Sequence, residues 1–230
     1  MKSSLGNVIV SGGSSGLGAA TVRALLSRGA NPLVLDKNAP DIDVPFECVD
    51  LADTGAVHDA VAALADRADG RLDGVFTAAG IDSCGPLDDV AARDWERVVQ
   101  VNLFGTAAVI RAALPYLKQS KGRIVTCAST LGIKAVSDAT AYCASKFGVV
   151  GFSRALAAEL AGDVGVTLLV PGGMHTAFFE SRTAQYKPPA DAVLNDPDHV
   201  ADTVIFALGQ PAGCELRELV VCASTESSWP

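Results

Sequence analysis

The stretch NVIVSGGSSGLGAATVRALL, residues 7–26, passes from a β-branched run through a glycine-rich turn into apolar residues at helical spacing. A strand that feeds a helix through glycines is the opening unit of an open α/β sheet. Gly12, Gly16 and Gly18 let the backbone turn tightly and approach a pyrophosphate. The helix starting among Ser14, Ser15 and Leu17 offers free amides to negative charge. The spacing is Gly-x-x-x-Gly-x-Gly, not the Gly-x-Gly-x-x-Gly of the common dinucleotide fingerprint, so an ordinary glycine-rich turn is the alternative. Asp36 closes the next apolar run, a little over twenty residues after the turn. Its carboxylate can accept hydrogen bonds from adenosine ribose hydroxyls and repel a 2'-phosphate, which favours NAD over NADP; neighbouring Lys37 pulls the other way.

Working outward, six further short runs alternate with alanine- and leucine-rich segments. Residues 7–11, 32–36, 46–50, 74–79, 123–129, 166–170 and 218–222 read as strands, and 16–28, 54–67, 94–118, 140–161 and 198–208 as helices. That order predicts an α/β doubly wound, Rossmann-like fold with a seven-stranded parallel sheet covered on both faces. No repeat or linker interrupts it, so residues 1–230 read as one unit, the cofactor-binding part to about residue 125 and the catalytic part after it. Only KNAPDIDVP separates the second and third strands, too little for a crossover helix, and the connection is expected to have none. Residues 172–198, rich in glycine and proline after the sixth strand, suit a covering segment at the mouth of a site.

The net charge of -8 argues against binding nucleic acid or anionic membrane. Six cysteines without a Cys-x-x-Cys pair, and no clustered histidines, suggest neither a zinc site nor a redox dithiol. MKSSLGNVIVSGG is interrupted by polar residues and glycine and does not read as a signal peptide or spanning helix. A cytoplasmic protein is expected.

AYCASKFG, residues 141–148, sets Tyr142 and Lys146 one helical turn apart on one face. An ammonium beside a phenol favours the phenolate and would lower the tyrosine pKa from about 10 toward neutrality. A surface pair on an amphipathic helix is the bland alternative.

With the glycine turn and this pair both in view, the chain resembles the short-chain dehydrogenase/reductase family over essentially its whole length. SGGSSGLG is similar to the family's cofactor turn. TAAG (77–80) is similar to the Asn-Asn-Ala-Gly segment ending its fourth strand, and departs from it at Thr77 and Ala78, whose usual role is to brace the central strand. Asp50 and Leu51 resemble the pair that contacts adenine, VNLFG supplies Asn102, and CASTLG supplies Ser129. PGGMHT supplies Pro171, Gly172 and Thr176 for the nicotinamide amide.

The resemblance implies an NAD-dependent oxidoreductase that transfers hydride between nicotinamide and a secondary alcohol or ketone, without a metal. Tyr142 is the implied acid/base, Ser129 orients the substrate oxygen, Lys146 binds the nicotinamide ribose, and Asn102 holds a relay water. Ala78, Ala79 and Gly80 border the cofactor with the glycine turn. The expected pocket walls, 81–87, 130–141 and the covering segment with Met174, His175, Phe178, Phe179 and Tyr186, are largely apolar and suit a hydrophobic or alicyclic, even steroid-like, substrate. His175 reads as a loop or cofactor contact. A 3-oxoacyl-thioester reductase and a non-catalytic NAD-binding regulator are the competing functions; Asp36 and the acidic charge count against the first, the intact tetrad against the second. Apolar surface on 93–119 and on the tyrosine helix, with Val149 and Phe152 on its outer face, predicts a homodimer or homotetramer.

Overall fold

The computed structural model describes residues Leu5 to Trp229; Met1–Ser4 and Pro230, the ends of the expected 1–230 unit, lie outside them. Seven strands form one all-parallel sheet in the order β3-β2-β1-β4-β5-β6-β7. They are β1 (Asn7–Ser11), β2 (Asn31–Asp36), β3 (Phe46–Cys48), β4 (Gly74–Thr77), β5 (Arg123–Cys127), β6 (Gly165–Pro171) and β7 (Glu218–Val221). The order reverses between β1 and β4, and this switch point opens a crevice beyond the carboxyl ends of the strands.

Alternation along each buried strand feeds two cores. Ile9, Leu33, Val75, Ile124 and Val166 pack with α2 (Thr54–Asp66), α4 (Thr106–Ser120) and the end of α5 (Thr140–Glu159). Val8, Val10, Val34, Phe76 and Val125 pack with α1 (Gly16–Leu26) and α6 (Pro197–Leu208) on the other face. β1, β4 and β5 are buried almost throughout, as expected of parallel strands with helices on both sides. No helix joins β2 to β3, as the short connection predicts.

Three differences from the sequence reading bear on the site. Strands β3, β4 and β5 end two residues early, so Ala78, Ala79, Ala128 and Ser129 leave the sheet and become crevice wall instead of ladder. The expected single helix over 94–118 is α3 (Ala92–Val99) running through a π-helical segment, Gln100–Gly105, into α4. Gly105 sits where a Cβ would meet Leu51 at 2.8 Å, so only glycine lets the widened turn lie against the chain leaving β3. Val149 does not lie on an outer face: it is fully buried in a small cluster with Leu168 and Val170, and Phe152 packs against the first core. The exposed aromatics here are Phe104 and Phe147, 54% and 44% exposed.

Ala92–Ser120 is long and apolar enough to cross a membrane by composition alone, and half of its most apolar window is buried against the fold.

Candidate active site

A cleft of about 940 Å³ runs along the carboxyl ends of the strands, from the β2 end at Asp36, past the glycine turn, to Tyr142 and the covering segment. The glycine turn is built by close approach: a Cβ at Gly12 would lie 2.7 Å from the backbone of Ala79, and one at Gly18 only 2.0 Å from the carbonyl oxygen of Gly12. Gly12 and Gly16 also have positive φ, which favours glycine. Asp53 and Asp196 cap α2 and α6 with their side chains, whereas Ser15 makes no such bond at α1. The first amides of α1 are thus not occupied by their own cap and border the cleft, where they can hold a diphosphate.

Asp36 is pinned at the other end. Its carboxylate accepts the Ser14 N–H at 3.1 Å and the Asn38 N–H at 3.0 Å, so the glycine turn itself orients the acid. Asp50 accepts from Ala52 N–H and from Arg97; that backbone bond, then the guanidinium, holds its pKa below the usual carboxylate range.

At the Tyr142 end, Ser129 follows β5 and accepts the Leu131 N–H at 3.1 Å, which leaves its own hydroxyl proton to be directed at the neighbouring Tyr142 oxygen or at a substrate oxygen beside it. Lys146 Nζ, buried, donates to the Cys127 carbonyl at 2.8 Å and lies 5.6 Å from the centre of the Tyr142 ring. Burial lowers the Lys146 pKa. The sequence expectation that Lys146 draws the Tyr142 pKa down does not hold in this arrangement: burial dominates and pushes the phenol well up, with Ser129 opposing it weakly. The reason is geometric, since the ammonium is engaged by Cys127 and the ring is screened from water.

Most expected site residues meet at this cleft: Gly12, Ser15, Gly16, Leu17, Gly18, Asp36, Asp50, Leu51, Ala78, Ala79, Gly80, Ser129, Tyr142, Lys146, Pro171, Gly172 and Thr176 line it. Two do not. The Ser14 hydroxyl turns away to donate to the Asn38 carbonyl. Asn102 lies fully buried behind the wall, its amide donating to Ile81 O and Ser145 Oγ while its oxygen accepts Ile81 N–H. A side chain so committed braces the chain after Gly80.

The substrate end also differs. Ile81, Leu131, Met174, Phe178, Phe179 and Leu194 supply the apolar walls expected, but Asp82 and Arg182 form a mostly buried ion pair at 2.6 Å inside them. His175 is exposed and, like Tyr186, does not border the cleft. Residues 132–141 are also absent from its lining, whereas 225–228 contribute to it. Glu226 accepts the Gly173 N–H at 3.0 Å, and Ser228 Oγ lies 2.6 Å from Thr130 Oγ1. Nothing in ASTESSWP signals this docking in the sequence, because its anchors are polar contacts to distant loops.

The residues present fit a nicotinamide dinucleotide: a glycine cradle with unspent helix amides, a fixed carboxylate one strand away, and a lysine with two donors still unused by Cys127. Comparison with known proteins agrees. The family model for short chain dehydrogenases matches residues 6–187, and the chain belongs to that family. A short-chain dehydrogenase/reductase of Penicillium canescens is 30% identical over 86% of this chain and 88% of that protein. Levodione reductase of Leifsonia aquatica is 32% identical over 79% of this chain and 74% of its own length. A crystal structure of levodione reductase covers 98% of both chains with a TM-score of 0.86 at 27% identity. An alcohol dehydrogenase from Thermococcus sibiricus, solved with 5-hydroxy-NADP, shares the fold with a TM-score of 0.84 at 22% identity, covering 94% of this chain and 95% of that one.

Proposed function

We propose that the protein is an NAD-dependent oxidoreductase acting on a secondary alcohol or ketone. The observation that carries this reading is the convergence of Ser129, Tyr142 and Lys146 on the same cleft as the glycine turn and Asp36. When bound, the nicotinamide supplies the hydride donor or acceptor. Tyr142, whose pKa burial pushes up, is placed to give its proton to a carbonyl oxygen. Ser129 donates its free hydroxyl proton to the same oxygen and fixes the carbonyl face. Lys146 stays on Cys127 O with one proton and offers the others to ribose hydroxyls. Asn102 holds Ile81, and through it the chain beside Lys146, in place.

Asp36 supports NAD over NADP, because a 2'-phosphate would face its carboxylate. Similarity to levodione reductase, together with Phe178 beside Tyr142, supports a cyclic ketone or alcohol among the substrates. We also infer a homodimer or a homotetramer built from it: Phe104 and Phe147, either side of the close approach of Leu103 to Gly148, leave an apolar patch that a second copy would cover.

A panel of cyclic and open-chain ketones and secondary alcohols, followed by NADH absorbance, tests the reading. Turnover on at least one class, lost by most of its rate in Tyr142→Phe while NAD affinity stays within a few-fold, is expected. Near-normal turnover in that variant refutes the acid/base role.

A further inference from the structure

We propose that Arg182 is a positioning residue: paired with Asp82 across the cleft, it presses Phe178 onto Tyr142 and so shields the phenol from water when the covering segment is closed. The contacts form an unbroken chain. Asp82, in the loop after β4, is itself held by the Ser83 N–H at 2.7 Å and the Cys84 thiol at 3.1 Å. It receives Arg182 from a position 100 residues later. The guanidinium carbon lies 5.2 Å from the centre of the Phe178 ring and 4.7 Å from that of Phe179. Phe178 in turn lies 5.6 Å from the centre of the Tyr142 ring, tilted by 55°.

This pair differs from the surface ion pairs of the molecule. The side chains of Arg182 and Asp82 are 15% and 4% exposed, against 51% and 63% for Arg23 and Asp198. Arg182 Nε is buried without a hydrogen-bond partner among the described residues, a cost that stability alone does not favour. A group that accepts such a cost while packing against Phe178, the ring beside Tyr142, is placed for that tyrosine. The groups facing Tyr142 are Cys127 and Ser129 from β5 and the loop after it, Asp82 from the loop after β4, Arg182 from the covering segment and Lys146 from its own helix. Of these, Asp82 pushes the phenol pKa up and Arg182 pushes it down, while burial outweighs both.

That ordering gives a test by sign. The functional consequence rests on the proposed role of Tyr142, but the titration needs neither cofactor nor substrate, so it stands even if no alcohol or ketone is turned over. Protein labelled with ¹³Cζ tyrosine is titrated by NMR, and the signal of Tyr142 among the three tyrosines is assigned with Tyr142→Phe. If Arg182 acted only through its charge, Arg182→Met would move Tyr142 ionisation to higher pH. If it holds Phe178 in place, water reaches the phenol and ionisation moves to lower pH, by about one unit or more. Phe178→Ala should reproduce the fall, and Arg182→Met added to it should bring no further fall. Should Arg182→Met not fold, Arg182→Gln, which keeps an amide donor, serves the same test. An unchanged or raised Tyr142 titration in the Arg182 variant, or a further fall in the double variant, overturns the proposal.

Discussion

Asp36 and Lys146 stand at opposite ends of the cleft, and each makes a prediction. The Asp36 carboxylate is already oriented by Ser14 and Asn38, so little reorganisation separates it from a ribose hydroxyl. Catalytic efficiency with NAD should exceed that with NADP by at least about tenfold, or about 1.4 kcal/mol, and Asp36→Ala should narrow the gap. Equal efficiencies in the wild type would assign cofactor choice to Lys37, which also borders the cleft. Lys146→Met removes the bond to Cys127 together with the donors left for ribose, so both NAD affinity and rate should fall; unchanged affinity by calorimetry removes the ribose contact. These residues were legible in the sequence because their signals are local: glycines within one turn, a carboxylate at a strand end, an i, i+4 pair. Asp82 and Arg182 were not, since only the folded chain brings two residues so far apart together. The direction of the Tyr142 shift escapes the sequence for a related reason: spacing reports the neighbour on the same helix and says nothing of how deeply the fold buries the phenol.

At the scale of elements, periodicity predicted every strand and the five long helical segments, while hydrogen-bond detail set what it missed. Strand ends were overrun because apolar residues continue into the crevice wall. The π-helical turn was invisible, since a widened turn leaves the apolar spacing of 94–118 intact on either side. Thr77, standing where the family pattern has asparagine, exposes the cost of that departure. Ser11 and Thr77 are register partners on β1 and β4, and each hydroxyl is buried without a hydrogen-bond partner among the described residues. Thr77→Val, which keeps the shape and removes an unsatisfied group, should stabilise the fold by about 1 kcal/mol, read as a higher urea midpoint with unchanged slope. A lower midpoint would mean that the hydroxyl has a partner in solution.

For the whole molecule, the reversal of strand order at β1 and β4 places the glycine turn, Asp36 and Tyr142 on one crevice, though they come from three different parts of the chain. The apolar patch at Phe104 and Phe147 belongs to the segment and helix that carry Asn102 and Tyr142, so assembly and activity should be coupled. Phe147→Glu should convert a dimer to a species of single-chain mass by light scattering and lower turnover with it; dissociation without loss of turnover would show that each chain completes its own site. The central claim is that hydride passes between this cleft's cofactor and a carbinol carbon, and isotope transfer reads that directly. The protein is incubated with NAD and a secondary alcohol from the active class carrying deuterium on the carbinol carbon, and the reduced cofactor is analysed by mass spectrometry. The account predicts reduced cofactor that carries the deuterium, and none formed by Tyr142→Phe above a small residual; cofactor reduced without deuterium, or no reduction with any alcohol alongside no oxidation of NADH by the matching ketones, would contradict it.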